Sequence, residues 1–191
     1  MAALGEPKIP PSEARARLAS LDALSRWSLT AGGLGFARFA PGTWGSLPPC
    51  VAVLVLCAVL PAGLGWVLQA VIGAFLVFAC FGCVRWGARA EEALGLKDPS
   101  CVVLDEVAGM AIALFLLRWP LRSESEGWGW LWTACAGIAM AFALFRAFDV
   151  LKPPPCRGLQ GVKGGTGILL DDVFAGIYAS VVVHLVGPLA G

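Results

Sequence analysis

The residues of this sequence best able to do chemistry are acids set in apolar runs. Asp105 and Glu106 stand in Leu104-Asp-Glu-Val-Ala-Gly109, and Asp171 and Asp172 in Leu170-Asp-Asp-Val-Phe-Ala-Gly176. A carboxylate at the centre of a membrane helix costs about 2.5–3.5 kcal/mol, less near a helix end. Several of them together call for a reason, and a hard divalent cation is one. Mg²⁺ takes oxygen ligands, usually one or two carboxylates with waters and substrate phosphate oxygens. The basic residues suit an anionic partner. Arg146 and Asp149 are three apart and share a helix face, Lys152 lies three further on, and Pro153 ends that helix. Lys163-Gly-Gly-Thr-Gly167 runs into the start of a last helix. There Gly164, Gly165 and Gly167 would let backbone N–H groups approach an anion. Thr43 and Ser46, in Pro41-Gly-Thr-Trp-Gly-Ser46, offer hydroxyls beside it.

Each member has a plainer reading. Asp171 and Asp172 suit any helix N-terminus, Arg146 could snorkel to an interface, and Thr43 and Ser46 could serve a turn. Their conjunction depends on the elements that position them. Of the 191 residues, 58% are hydrophobic and 14% charged, with mean hydropathy +0.78. That is too apolar for a water-soluble core, so the expected class is an all-α, polytopic membrane bundle. Net charge is +1, which gives no footprint for nucleic acid. About five spans of the ~20 residues a bilayer requires are expected, at residues 47–64, 65–84, 102–119, 128–148 and 168–189. The third is too short without Asp105 and Glu106, so both acids must belong to its helix. Residues 1–24 read as a tail and an amphipathic helix capped by Ser12, with Leu18, Leu21 and Leu24 along one face. Residues 30–46 read as a broken, re-entrant segment, and 25–191 as one membrane domain. Of the seven Cys, Cys50, Cys57, Cys80, Cys83 and Cys135 lie in apolar runs and are expected to act as small hydrophobes, and no C-x2-C pair is expected.

Lys and Arg set the orientation. With the N-terminus inside, twelve lie on the inner side, and only Arg118 and Arg122 on the outer. Trp44 and Trp86 then fall at inner ends, and Trp66, Trp119, Trp128, Trp130 and Trp132 at outer ends, as an aromatic belt. This arrangement brings all the acidic and basic motifs to the inner face. It also stacks two echoes: Asp105 precedes Gly109, and Asp172 precedes Gly176, by four residues. Each pair shares a helix face, and the glycines permit close helix approach.

Four motifs in this order resemble phosphatidylglycerophosphatase A, a bacterial membrane phosphatase family. They are Pro41-Gly-Thr-Trp-Gly-Ser-Leu47, Val103-Leu-Asp-Glu-Val-Ala-Gly-Met110, Phe145-Arg-Ala-Phe-Asp-Val-Leu-Lys-Pro153 and Gly164-Gly-Thr-Gly-Ile-Leu-Leu-Asp-Asp172. The resemblance implies Mg²⁺-dependent removal of the terminal phosphate of phosphatidylglycerophosphate. It implies a place in phosphatidylglycerol biosynthesis at the cytoplasmic face of the inner membrane. The loop holding Arg157 departs from the family pattern. Expected metal ligands are Asp105, Asp149 and Asp172, with Glu106 and Asp171 as further ligands or a base. Arg146, Lys152, Thr43, Ser46 and the 164–167 glycines are expected to bind phosphate. Water attack and an aspartyl-phosphate intermediate both remain open.

Other phosphatase plans are set aside. No Cys-x5-Arg loop is expected, and the sole His, His184, lies far along the last span. The rival class is an ion- or proton-coupled transporter, which would spread its acids across membrane depth or show inverted repeats. A phosphatidyl-group transferase lacks its D-G-x2-A-R array. Oligomeric state is not fixed by the sequence. The topology is tested by cysteine labelling from outside the cell, which should miss a probe at residue 92 and reach one at residue 125. The reverse pattern rejects the orientation.

Overall fold

The computed structural model describes residues 9–124, 127–154 and 165–186. Among these there are helices and no strands. Two short helices, α1 (Pro11–Leu18) and α2 (Ala23–Leu29), precede α3 (Pro41–Gly45) and α4 (Leu47–Val59). Then come α5 (Gly65–Leu94), α6 (Leu104–Phe115), α7 (Gly129–Leu151) and α8 (Gly165–Val186). Short 3-10 turns lie at Leu34–Phe36 and Arg122–Glu124.

The five helices α4–α8 run up and down, with α6 at their centre, packed against α4, α5, α7 and α8. Among the described residues three stretches are long and apolar enough to cross a membrane: Pro41–Val59, Gly65–Leu94 and Gly129–Leu151. The expected count of five is not confirmed by length and composition among the described residues. The shortfall is clearest at α6, whose 12 residues reach only about 18 Å. It does include Asp105 and Glu106 in its first turn, as its short apolar stretch requires. Nine of its residues are buried, so its neighbours shield it from lipid.

A helix ending inside a bundle leaves carbonyls that no water can satisfy. Two side chains answer this at the far end of α6. The Trp119 indole donates to the Leu114 carbonyl at 3.1 Å, and the Gln69 amide, from α5, to the Leu117 carbonyl at 2.7 Å. Trp119 is accordingly buried, as are Trp86 and Trp130. The aromatic belt is thus smaller than expected: Trp44, Trp66, Trp128 and Trp132 face outward, joined by Trp27.

The N-terminal segment also differs from expectation. Ser12 is not a cap, since α1 starts at Pro11 with Pro10 at the N-cap and no side-chain cap bond. The single amphipathic helix is two helices broken at Asp22, whose carboxylate accepts from the Ser25 N–H at 2.9 Å and starts α2. That bond and the Ser25 hydroxyl hold the Asp22 carboxyl below its usual pKa. Leu18 is buried while Leu24 is exposed. Arg17 ties α1 to the end of α5 through the Leu94 carbonyl at 2.6 Å. Residues 30–40 form turns and not a span, with Ala31, Gly32, Gly33 and Ala40 all at positive φ. A C-x2-C pair does occur, Cys80 and Cys83, contrary to expectation. Both are free thiols within α5, packed with apolar neighbours, which is a small-hydrophobe role.

The glycine echo is where α6 and α8 meet. A Cβ at Gly176 would lie 2.3 Å from the Gly109 carbonyl oxygen, and one at Gly109 would lie 2.6 Å from that of Asp172. The two backbones touch, so no side chain fits between them. Gly176→Leu should therefore lower stability by several kcal/mol, beyond the about 1–3 kcal/mol of ordinary overpacking, because backbone must move. Gly129→Ala, where a Cβ meets nothing within 4 Å, should be neutral. Thermal unfolding in detergent compares the two; equal midpoints would refute the tight crossing.

Candidate active site

The crossing sets the first turn of α6 beside α8, and the C-terminal end of α7 closes the third side. Between them and the start of α3 lies a cavity of about 280 Å³. Its lining brings Asp98, Asp105, Glu106, Asp149, Asp171 and Asp172 together with Arg146 and Lys152. All these residues come from one end of the bundle. Among the described lining residues carboxylates outnumber cationic groups, which favours a bound cation.

Arg146 acts as a clamp. Its Nη1 donates to Glu106 Oε2 from α6 and pairs with Asp149 Oδ2 at 3.1 Å, one turn along α7. Nε and Nη2 keep further N–H groups for an anion. Lys152 ends α7 in the left-handed region, with φ 46°, and its Nζ pairs with Asp171 Oδ2 at 2.7 Å. Burial pulls the Lys152 ammonium pKa down, but the hydrogen bond and charge of Asp171, with Asp149 and Asp98 nearby, outweigh it and hold it above the usual value.

The carboxylates divide into groups. Oxygens of Glu106, Asp149 and Asp172 lie within 4.8 Å of one another, a spacing suited to one metal ion. Asp105 is not in that set. It is 6% exposed, and its Oδ1 has no hydrogen-bond partner among the described residues. Asp171 Oδ1 is likewise buried without a partner. A carboxylate oxygen buried without a donor is costly, and a cation would relieve it. The donor set and these orphan oxygens fit a hard divalent ion.

Other expected positions fall at the margin. Ser46 is buried, donates to the Gly42 carbonyl at 2.9 Å and stands 3.5 Å from Glu106 Oε2. Thr43 is half-buried and does not line the cavity. Gly165 and Gly167 belong to the first turn of α8 and not to a loop, and Gly167 does not line the cavity. Gly164, Lys163 and Arg157 lie outside the described residues. His184 is exposed near the opposite end of α8.

Two lining residues carried no assigned role in the motifs. Asp98 sits at φ 48°, its N–H held by Glu91 at 3.1 Å. Its signal was only its place beside Pro99. Gly42 is the second: a Cβ there would lie 2.0 Å from Glu106 Oε1 and 3.2 Å from Arg146 Nη1. Its signal was a glycine repeated in a turn motif.

The chain does contain a Cys-x5-Arg spacing, Cys83 to Arg89, contrary to expectation. It carries no cysteinyl-phosphate chemistry in this fold. The segment is interior to α5, where backbone N–H groups bond within the helix and cannot cradle phosphate. Cys83 is 1% exposed and Arg89 faces outward.

Comparison with known proteins decides the family. Residues 27–187 match the family model of phosphatidylglycerophosphatase A. This chain belongs to that family. Phosphatidylglycerophosphatase A of Haemophilus influenzae is 36% identical over 155 residues, 81% of this chain and 83% of that protein. That of Escherichia coli is 30% identical over 164 residues, 84% and 83%. A Bacteroides thetaiotaomicron protein, provisionally named a phosphatidylinositol-3-phosphatase, is 37% identical over 152 residues, 79% and 86%. No solved structure matches. As a member of the phosphatidylglycerophosphatase A family the chain is a membrane phosphatase, and the cavity is its candidate active site.

The position of Gly42 generates a test. Gly42→Ala should push Glu106 and Arg146 apart and cut phosphatase activity about 100-fold, the scale of a 1 Å misplacement. The protein should stay folded by circular dichroism. Wild-type turnover in this variant would show that the Glu106–Arg146 geometry is not required.

Proposed function

We propose that this chain hydrolyses phosphatidylglycerophosphate to phosphatidylglycerol and inorganic phosphate, with Mg²⁺, at the cytoplasmic face of the inner membrane. The observation that carries the reading is the Glu106–Asp149–Asp172 group beside the Arg146 clamp. The chemistry is shared by any lipid with a terminal phosphomonoester.

Glu106, Asp149 and Asp172 would hold the ion, with Asp105 or Asp171 able to complete the set. When bound, Mg²⁺ supplies a Lewis acid that offsets phosphoryl-oxygen charge and makes water a better nucleophile. Arg146 orients the phosphate through its Nε and Nη2 groups, and its planar fork suits two oxygens at once. Lys152, held by Asp171, adds positive charge at the mouth of the same cavity. Attack forms a bond from the water oxygen to phosphorus and breaks the bond from phosphorus to the glycerol oxygen. A carboxylate of the cavity, Asp105 foremost, takes a proton from the attacking water and passes it to the leaving glycerol oxygen. Charge on the phosphoryl oxygens shifts during transfer, so positioning and electrostatics carry most of the catalysis.

Phosphate release from phosphatidylglycerophosphate by the purified protein in detergent tests the proposal. Activity should vanish with a chelator and return with Mg²⁺. Asp105→Asn and Asp172→Asn should abolish turnover in folded protein. Arg146→Lys should lose much of it despite retained charge, Lys152→Ala should be harmful and Arg157→Ala mild. Full activity of Arg146→Lys with a dead Arg157→Ala would move the anion site to the loop after α7. A parallel assay with phosphatidylinositol 3-phosphate, prompted by the Bacteroides relative, settles headgroup choice. Faster turnover of that lipid would replace the substrate proposed above.

A further inference from the structure

Apart from the active-site cavity, two adjoining pockets form a second site. The first, about 420 Å³, is lined by Arg15 of α1, Arg26 and Trp27 of α2, Thr30, Gly32 and Phe36 among others. Among the described residues its lining has two arginines and no acid. The Arg15 guanidinium lies over the Phe36 ring, 4.7 Å from its centroid. Arg26 is half-buried, and among the described residues no carboxylate pairs with either arginine. Arginines gathered in a concave site without counter-charge suit a phosphate group.

The second pocket, about 310 Å³, is almost wholly apolar. Phe75 and Phe78 of α5, Leu104 and Val107 of α6, and Pro48 line it. Trp27 and Gly32 line both pockets, so the two share a wall. Gly32, at φ 72°, turns the backbone there without a side chain. Phe78 and its neighbours Val77 and Phe81 are exposed on α5, on a helix apolar enough to cross the bilayer. Trp27, which lines the basic pocket, is 62% exposed, and Leu24 on the same short helix is exposed as well. Polarity therefore changes from cationic to apolar across one shared wall, in the order in which a phospholipid changes from phosphate to acyl chain.

We propose that this paired pocket binds one anionic phospholipid of the bilayer, its diester phosphate at Arg15 and Arg26 and one acyl chain along Phe75 and Phe78. It is distinct from the catalytic cavity, with which its lining shares no residue. Arg15 and Arg26 precede the residues that match the family model, 27–187. The bound lipid would brace α1 and α2 against α5 and α6. The headgroup needs no terminal phosphomonoester, so occupancy does not depend on the phosphatase reading.

The test uses the full chain in nanodiscs of phosphatidylcholine doped with phosphatidylglycerol, and native mass spectrometry to count retained lipid. Wild type should retain one phosphatidylglycerol in preference to phosphatidylcholine. The double variant Arg15→Gln, Arg26→Gln should weaken that retention about tenfold, the scale of losing charge-assisted contacts. Arg26→Lys, which keeps the charge, should retain most of it and guards against misfolding. Glycerophosphoglycerol, the headgroup without acyl chains, should not compete. Asp172→Asn, which disables the catalytic cavity, should leave retention unchanged. Equal retention of phosphatidylcholine, or wild-type retention by the double Gln variant, would overturn the proposal. Loss of retention in Asp172→Asn would place the lipid in the catalytic cavity and overturn it equally.

Discussion

The backbone contact between Gly109 and Gly176 is the constraint on which the rest of this structure depends. It draws α6 and α8 so close that each helix presents its acids, four residues earlier, to the same space. Asp105 and Glu106 come from one side, Asp171 and Asp172 from the other. A larger residue at either glycine would part the helices and dilute this cluster. Both glycines of the crossing are buried. The crossing's stabilisation comes from dispersion between close-packed surfaces, and its consequence is electrostatic.

Such a cluster is unfavourable by itself, and the surrounding residues offset it unevenly. Arg146 compensates Glu106 and Asp149, and Lys152 compensates Asp171. Asp105 and Asp172 are left with no cationic partner among the described residues, both buried. The imbalance is local to one end of the bundle, and it is the physical argument for a cation. It also argues against an ion path. A path would need polar groups along the membrane depth, whereas the opposite end of α6 is closed by Trp119, Leu114 and Leu117.

The short central helix follows from the same arrangement. If α6 were as long as α5, its first turn would project past the others and leave its acids in water. Twelve residues set Asp105 and Glu106 below the rim, where an unsolvated carboxylate interacts strongly with metal and phosphate. The cost appears at the other end, where carbonyls require Gln69 and Trp119 as donors. Site depth and the polar side chains at the far end of the bundle are therefore two results of one helix length.

The sequence by itself determined the helical, membrane-embedded class, the clustering of charge at one end and the family motifs. Hydropathy, charge placement and residue order are properties of the chain that survive any particular packing. It also held the glycine crossing in readable form, because a four-residue spacing fixes a helix face whatever the neighbour. The division of labour between Asp105 and Glu106 was not legible. Adjacent residues on a helix point about 100° apart, and only the rotation of α6 against α7 and α8 decides which one joins Asp149 and Asp172. The same limit hid Gly42, whose need for a missing side chain exists only once Glu106 and Arg146 are folded against it. The Cys80-x2-Cys83 and Cys83-x5-Arg89 spacings stand in the sequence contrary to expectation, and only the helix shows that they place side chains in a packed wall and on a surface. Spacing along the chain states which residues can meet; tertiary packing decides which atoms do, because it sets the phase and depth of each helix.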